Sequence, residues 1–162
     1  MNPHYFIDGY NLIHQVPRFK KAIGHSLEQS RNMLMSFIRG YLSQRNARVT
    51  LIFDGADVGY VDNRTLSSKR LKVIFSNSPE KADPLIMRLI KADNNKKSAI
   101  LVSADNELIN FAKKIGTAAL NPLDFYNQAI KHPVQDEMDK KYERPISESE
   151  LKEWMEIFGE DS

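Results

Sequence analysis

YFIDGYNLI, residues 5–13, is a short apolar run that ends on a carboxylate, a glycine and, two residues later, an amide. Its apolar part shows little polar alternation, which is typical of a strand buried on both faces of a parallel sheet. A buried strand has no structural need for Asp8 or Asn11 at its end. These two side chains therefore indicate that the carboxyl end of the strand faces a ligand or a reaction.

Similar apolar runs recur along the chain and alternate with stretches of helical periodicity. The predicted strands are 5–8, 49–54, 71–76, 99–103 and, more weakly, 117–120. Alternation of strands and helices is the signature of an α/β fold, in which a mainly parallel sheet of about five strands carries helices on both faces. We therefore expect the strands to open on one shared edge.

Capping signals mark the predicted helices between these strands. Ser26 and Gln29 form a capping-box pair ahead of the first helix, and Gly116 suits a left-handed cap at the end of the third. The fourth begins at Asn121 with Pro122 in its first turn. The second has its apolar face at Leu85, Ile86, Leu89 and Ile90.

Composition limits the kinds of site that the chain can build. The 162 residues contain no cysteine and four histidines, so a thiolate metal site is excluded and any metal is held mainly by oxygen. The N-terminus lacks the pattern of a signal peptide, and no apolar run is long enough to span a bilayer. We therefore expect a cytoplasmic protein with no membrane partner.

The net charge of +2 conceals an asymmetry along the chain. Residues 1–131 carry 19 Lys and Arg against 11 Asp and Glu, whereas residues 132–162 carry 4 against 10. A basic body with an acidic tail favours a polyanionic partner for the body, although a well-solvated surface has the same pattern. We predict a domain over 1–131, followed at 132–162 by an acidic tether and a short helix.

The predicted C-terminal helix has one apolar stripe. Ser147 and Glu150 form its capping box, and the stripe consists of Leu151, Trp154, Met155 and Phe158. The stripe either packs on the chain's own domain or docks in the groove of a partner. A third possibility is that the acidic segment 132–162 mimics RNA and covers the cleft in which RNA would bind.

Acidic side chains follow each major strand of the predicted sheet. The candidates are Asp8, Asp54, Glu80, Asp83, Asp105 and Glu107, with Ser103 at the end of the fourth strand. The carboxyl ends of parallel strands share one edge, so these groups converge there. Converging carboxylates repel one another unless a cation compensates, and Mg²⁺ or Mn²⁺ prefers such oxygen ligands. The pattern therefore predicts a divalent metal at this edge.

Each acid also has an ordinary structural interpretation. Asp105 could cap the helix that begins at Asn106, but Ser103 could do so too, which would leave Asp105 free. Asp83 precedes Pro84 and is predicted to be an N-cap, a role compatible with metal binding. Loops after strands are acidic in many folds, so Asp54, Glu80 and Glu107 are weaker candidates.

The ordered set of motifs resembles a known family. DGYN after the first strand, LIFDG at the second, EKAD before the second helix and SADNEL after the fourth strand are similar to the NYN branch of the PIN-like nucleases, and most similar to the bacterial YacP-like group. The resemblance covers roughly residues 3–131. It implies a three-layer α/β/α sandwich and a metal-dependent endoribonuclease.

The resemblance also implies roles for individual residues. Asp8, Asp83 and Asp105 match the family's metal-ligand positions, and Asn11, Ser103 and Glu107 stand at accessory positions. Glu107 replaces the family's more usual second aspartate with a longer side chain. The implied reaction is metal-assisted hydrolysis of a phosphodiester bond, without a histidine base.

An acidic site needs positive charge nearby to attract an RNA backbone. The candidates for nucleic-acid binding are Arg18, Lys20, Lys21, Arg64, Lys69, Arg70 and Lys72. We expect single-stranded RNA as the substrate, because it fits an open cleft better than a duplex. Tyr10 and Tyr60 could stack exposed bases or simply pack. Selectivity is expected to come from presentation of the RNA by a larger assembly such as the ribosome.

Other functions fit the sequence less well. A phosphotransfer receiver needs paired acids after its first strand, and a haloacid-type phosphatase needs an aspartate where this chain has Tyr10. No glycine-rich nucleotide fingerprint follows any strand. The rival from another class is a non-catalytic RNA-binding or scaffold module of the same fold.

Overall fold

Five parallel strands form a single sheet in the computed structural model, which describes residues 2–55, 66–77 and 81–131. The strands are β1 His4–Asp8, β2 Arg48–Phe53, β3 Leu71–Phe75, β4 Ala99–Val102 and β5 Ala118–Leu120. They lie in the order β3-β2-β1-β4-β5, and every pairing is parallel. The predicted α/β class and parallel sheet are therefore confirmed.

The order in which strands are added to the sheet reverses after β3. The chain first builds outward from β1 through β2 to β3, and then returns to the other side of β1 to add β4 and β5. The carboxyl ends of β1 and β4 therefore flank the point where the strand order reverses. In open α/β sheets, this is where a crevice for ligands forms.

Six helices lie between or after the strands within the described residues. They are α1 Gly9–Gln15, α2 Pro17–Ala22, α3 Leu27–Ser43, α4 Ala82–Ala92, α5 Asn106–Lys114 and α6 Pro122–Lys131. The sequence did not predict α1 and α2, which are seven and six residues long and have no side-chain N-cap. Such short helices are difficult to recognise because they show fewer than two turns of periodicity.

Two apolar cores lie on opposite faces of the sheet, as a three-layer sandwich requires. One packs α1, α2, α3 and α6 against the sheet around Ile7 and Leu51, and the other packs α4 and α5 around Phe6 and Ile52. Neighbouring strand residues point to opposite faces, so a strand covered on both sides is apolar throughout. This burial explains the unbroken apolar runs in the sequence.

The predicted helix caps are found in the structure. The Ser26 Oγ accepts a hydrogen bond from the Gln29 N–H at 3.0 Å, and the Asn121 Oδ1 accepts one from the Leu123 N–H at 2.9 Å. Gly116 has φ 81°, the left-handed conformation expected after α5. The tether and amphipathic helix predicted after residue 131 lie outside the described residues.

No helix within the described ranges combines the length and apolarity needed to cross a lipid bilayer.

Candidate metal centre

Asp8 is a carboxylate held at the buried end of β1. It is 8% exposed, and its Oδ2 accepts a hydrogen bond from the Ser103 hydroxyl at 3.2 Å. Ser103 directly follows β4, so this bond joins the two strands that flank the reversal of strand order. Asp8 therefore lies where the topology forms its crevice.

Gly9 allows the chain to turn from β1 directly into α1. A Cβ atom at Gly9 would overlap the Phe53 ring and lie 2.9 Å from the Ile52 carbonyl oxygen, both on the adjacent β2. Only glycine has no Cβ to clash here. This explains the glycine after Asp8 in the opening motif.

Asn11 and Ser103 tie the α1 turn to the loop between β4 and α5. The Asn11 Oδ1 accepts a hydrogen bond from the Ala104 N–H at 2.8 Å, and the Ser103 Oγ accepts one from the Asp105 N–H at 3.0 Å. Ser103 thus contacts both Asp8 and Asp105. These neutral side chains fix the relative positions of the two acidic loops.

Asp105 is the N-cap of α5. Its Oδ1 accepts hydrogen bonds from the N–H groups of Glu107 at 2.9 Å and Leu108 at 3.2 Å. The expectation that Ser103 would relieve Asp105 of this role was wrong, because Ser103 donates its hydroxyl to Asp8 instead. Both capping bonds use Oδ1, so capping orients the Asp105 carboxylate and leaves Oδ2 available to a ligand.

Asp83 lies in the first turn of α4 rather than at its cap. The helix begins at Ala82 with Lys81 as the N-cap, so the prediction of Asp83 as N-cap was wrong by two positions. Pro84 follows inside the helix's first turn, where its missing N–H costs nothing. The helix dipole favours a negative charge at this position.

The three acids from two helix starts converge. One oxygen from each of Asp83, Asp105 and Glu107 lies within 4.8 Å of the other two. Asp8 and Asp54 line the same cleft, which has a volume of about 610 Å³. One crevice therefore holds carboxylates from the ends of β1, β2 and β4 and from the start of α4.

The clustering changes the acidity of two of these groups. Burial, followed by the charge of Asp83, raises the pKa of Asp8 to about 7, although the hydrogen bond from Ser103 acts in the opposite direction. Burial also raises the pKa of Asp83, with further contributions from the charge of Asp105 and a hydrogen bond to it. Both shifts arise first from burial and then from the negative charge of neighbouring carboxylates.

The donor set fits a hard divalent cation. It consists of carboxylate oxygens, the ligands that Mg²⁺ and Mn²⁺ prefer, and Lys81 is the one lysine or arginine among the described residues that lines the cleft. A cation would relieve the repulsion that raises the two pKa values. The residues present therefore fit the metal predicted from the sequence, without distinguishing magnesium from manganese.

A family model for the YacP-like NYN domain matches residues 5–158, nearly the whole chain. The chain belongs to the YacP-like NYN family. This match extends past residue 131, where the sequence analysis placed its domain boundary.

Relatives of this NYN domain come from Bacillus subtilis. The chain is 32% identical to the uncharacterized protein YacP of strain 168 over 100 residues, a match that spans 62% of this chain and 58% of that relative's length. It also resembles the crystal structure of Rae1 (YacP) with a TM-score of 0.67 at 22% identity, over 99% of this chain and 90% of the other. The W164L mutant of Rae1 gives the same TM-score at 23% identity, over 91% and 89% of the two chains. The structural matches support the fold.

The NYN cleft gathers seven of the predicted site residues. Six of them line the cleft: Asp8, Asn11, Asp54, Asp83, Asp105 and Glu107. The seventh, Ser103, donates a hydrogen bond to Asp8. Glu80 and Arg64 lie outside the described residues, so their predicted roles stay predictions. Glu107, one of the weaker candidates in the sequence, is one of the three acids whose oxygens converge.

The predicted RNA-binding cations that the structure describes do not line the NYN cleft. Arg18 stacks on the rings of Phe19 and Phe37, at 5.7 and 5.8 Å from their centroids, and Lys20 and Lys21 are exposed near the end of α2. Lys69, Arg70 and Lys72 precede or begin β3, and therefore lie at the amino edge of the sheet, opposite the carboxylates. Of these cations, none lines the acidic crevice within the described residues.

Sequence reasoning missed Lys81, His14 and the supporting contacts of Tyr10 in this cleft. All three residues line it, and the Tyr10 hydroxyl accepts a hydrogen bond from Arg31 Nη1 at 3.0 Å. The Tyr10 ring also packs against Phe53 at 5.0 Å between centroids. Tyr10 and His14 are four residues apart, so recognition of α1 would have placed them on one helix face.

Proposed function

We propose that this chain is a metal-dependent endoribonuclease that hydrolyses phosphodiester bonds of single-stranded RNA in the cytoplasm, with Mg²⁺ or Mn²⁺ as its cofactor. One observation carries the proposal: carboxylates from separate strand ends and helix starts converge in the crevice where the strand order reverses. Membership of a nuclease-type domain family supports it independently.

The chain's own residues would hold and orient the reacting groups. Asp8, Asp83 and Asp105 are the primary ligands in this proposal, with Glu107 at the exposed rim and Asp54 on the cleft wall. A divalent cation supplies positive charge for the scissile phosphate and acidifies water. Because the pKa of Asp8 is raised to about 7, cation binding at Asp8 would be accompanied by proton release near neutral pH. The raised pKa of Asp83 acts in the same direction.

The positioning residues act through the carboxylates. Ser103 holds Asp8 by its hydroxyl and the Asp105 backbone by its oxygen, so it sets the separation of the two acids. Asn11 fixes Ala104 in the same loop, and its amide NH₂ is a donor suited to a phosphate oxygen. Neither side chain adds negative charge to the site.

Single-stranded RNA suits the walls of the cleft. Tyr10 presents a half-buried ring there, fixed by Arg31 and Phe53, and an immobilised ring is well placed to stack on an unpaired base. Lys81 supplies a positive charge at the same rim. We further propose that a larger RNA assembly such as the ribosome presents the strand, an idea that absence of the protein from ribosomal fractions at low salt would contradict.

Cleavage of labelled single-stranded RNA in Mn²⁺, in Mg²⁺ and in EDTA tests the proposal. The Asp8→Asn/Asp105→Asn variant removes two cleft charges. The matched control, Glu28→Gln/Asp124→Asn, removes two charges from helix positions that are exposed and do not line the cleft. We expect metal-dependent cleavage that the first variant loses, by at least about 100-fold, and the control retains.

A non-catalytic RNA-binding module predicts a different result. RNA would bind in the same assay without being cut in any metal. Metal-independent cleavage, or cleavage that survives in a folded Asp8→Asn/Asp105→Asn variant, would show that the cleft is not the reaction site.

A further inference from the structure

The edge of the sheet opposite the acidic cleft carries a patch of cations. The segments that lead into β2, β3 and β4 supply them, and we call the set the basic edge: Arg48, Lys69, Arg70, Lys72, Lys96 and Lys97. The parallel register aligns the strand starts, with His4 opposite both Arg48 and Ala99, and Val49 opposite Leu71. Strands lie about 4.8 Å apart, so the cations spread over about 15 Å from β3 to β4.

The side chains of the basic edge are available to a partner. Arg48, Lys69, Lys72 and Lys97 are exposed. Burial and then the charge of Arg48 lower the pKa of His4, and the charge of Lys72 acts in the same direction. Arg48 on β2 and Lys72 on the adjacent β3 therefore both act on His4.

Acidic groups do not neutralise the basic edge within the described residues. Asp93 is the one carboxylate in the three lead-in segments, and its Oδ2 lies 3.2 Å from the His4 Nδ1. Arg70 donates to the Arg45 carbonyl oxygen, a neutral partner. Arg48, Lys69 and Lys72 form no ion pair among the described residues, so no described carboxylate neutralises these three cations.

We propose that the basic edge binds the sugar-phosphate backbone of RNA at a place separate from the acidic cleft. The choice of RNA over another polyanion rests on the proposed function. Lysine and arginine contacts to phosphates position a nucleic acid without reading its sequence, and they release counterions. The basic edge therefore serves as an anchor for a second RNA segment, rather than as a guide into the cleft.

The geometry supports an anchor over a guide. β1 is five residues long, and at about 3.3 Å per residue the two edges of the sheet are about 15 Å apart. A phosphate at the cleavage site is therefore beyond direct contact with Arg48 or Lys72. The Debye length is about 8 to 10 Å at physiological salt, so screening weakens the effect of these cations on the cleft.

RNA binding in EDTA tests the anchor separately from cleavage. Fluorescence anisotropy of a labelled RNA hairpin with a single-stranded tail would be measured over a range of salt concentrations. The variants are Arg48→Gln/Lys72→Gln at the basic edge and Lys113→Gln/Lys114→Gln in the last turn of α5, which remove the same charge from exposed positions. DNA of the same sequence and inorganic polyphosphate serve as competitors.

The expected result is a loss confined to the basic edge. Each lost phosphate contact lowers the slope of log affinity against log salt by about 0.7 for a single strand, so the first variant should lose about 1.4 in slope and at least about ten-fold in affinity at 0.1 M salt. The α5 variant should match the wild type. Equal losses in both variants, or none in the first, would overturn the anchor.

The outcomes for the anchor and for the nuclease are distinguishable. Binding that depends on Arg48 and Lys72 in a protein that cuts no RNA would support the anchor and overturn the nuclease proposal. Metal-dependent cleavage with an unchanged salt slope in Arg48→Gln/Lys72→Gln would overturn the anchor alone. Displacement of RNA by polyphosphate much more strongly than by unlabelled RNA would also overturn it.

Discussion

Asp8 combines burial with a neighbouring negative charge, and each disfavours its ionised form. Burial and the charge of Asp83 raise the pKa of Asp8 from 3.8 to about 7 in the folded chain, so between these pH values the folded state retains a proton that the unfolded state has lost. Stability of the metal-free protein should therefore fall as pH rises from about 4 to about 7, and stay level above that range. The pKa of Asp83 is shifted in the same direction and adds to the effect.

The Asp8→Asn variant tests this linkage. One pKa unit corresponds to about 1.4 kcal/mol, so the penalty at pH 8 is on the order of 4 kcal/mol at most. In EDTA, urea unfolding of the wild type should show a decline in stability between pH 5 and pH 8, and Asp8→Asn should show a smaller decline. Parallel pH profiles for the two proteins would contradict the assignment.

Gly9 is a second residue whose environment makes a specific prediction. A Cβ atom there meets the Phe53 ring, so Gly9→Ala should destabilise the chain by about 1 to 3 kcal/mol through overpacking. Gly40→Ala is the matched control, because its Cβ meets nothing within 4 Å on the exposed side of α3. The control should gain about 0.5 to 1 kcal/mol in helix stability. Equal effects of the two changes in urea unfolding would show that Gly9 is not constrained by close contact.

At the scale of elements, α5 links a structural role to a chemical one through Asp105. The side chain caps the helix with one oxygen while the group remains part of the acidic cluster. Asn caps almost as well as Asp, whereas Ala costs about 1 kcal/mol at this position. The two roles can therefore be separated by the choice of substitution.

Asp105→Asn and Asp105→Ala should both lose RNA cleavage, but Asp105→Ala alone should lose about 1 kcal/mol of stability. Comparison of cleavage rates with urea midpoints checks this. Retained cleavage in a stable Asp105→Asn variant would restrict Asp105 to its capping role.

The elements that the sequence predicted are those with strong physical signatures. The five strands were placed to within one residue at each end, because burial on both faces removes polar residues from them. The helices α1 and α2 were missed because they are short and have no side-chain caps. Without α1, the positions of Tyr10 and His14 on the cleft wall had no periodic signal.

The carboxylate site was largely predictable because strand direction alone sends Asp8, Asp54 and Asp105 to one edge. The sequence alone could not show which residue caps α5, because Ser103 and Asp105 are both suitable N-caps. In the structure Ser103 donates its hydroxyl to Asp8, and Asp105 caps the helix. The position of Lys69 and Arg70 at the amino edge of the sheet could also have been predicted from the sequence. Both residues precede β3, and residues that precede a parallel strand lie at that edge.

At the scale of the whole sheet, the described residues are electrically polarised from one edge to the other. Acids gather where the strands end, and cations gather where they begin. In this account the first edge is the catalytic centre and the second holds RNA. In this account a bound cation offsets the repulsion among the carboxylates of the acidic edge, which makes metal binding the central claim.

Direct titration with Mn²⁺, followed by the electron paramagnetic resonance signal of the free ion, measures that binding without any RNA. At pH 8 we expect the wild type to remove free Mn²⁺ from solution with saturation at one or two ions per chain. The Asp8→Asn/Asp105→Asn variant should remove at least about ten-fold less at the same free concentration, and Glu28→Gln/Asp124→Asn should match the wild type. Equal binding by all three proteins, or no binding by the wild type at millimolar Mn²⁺, would contradict the account.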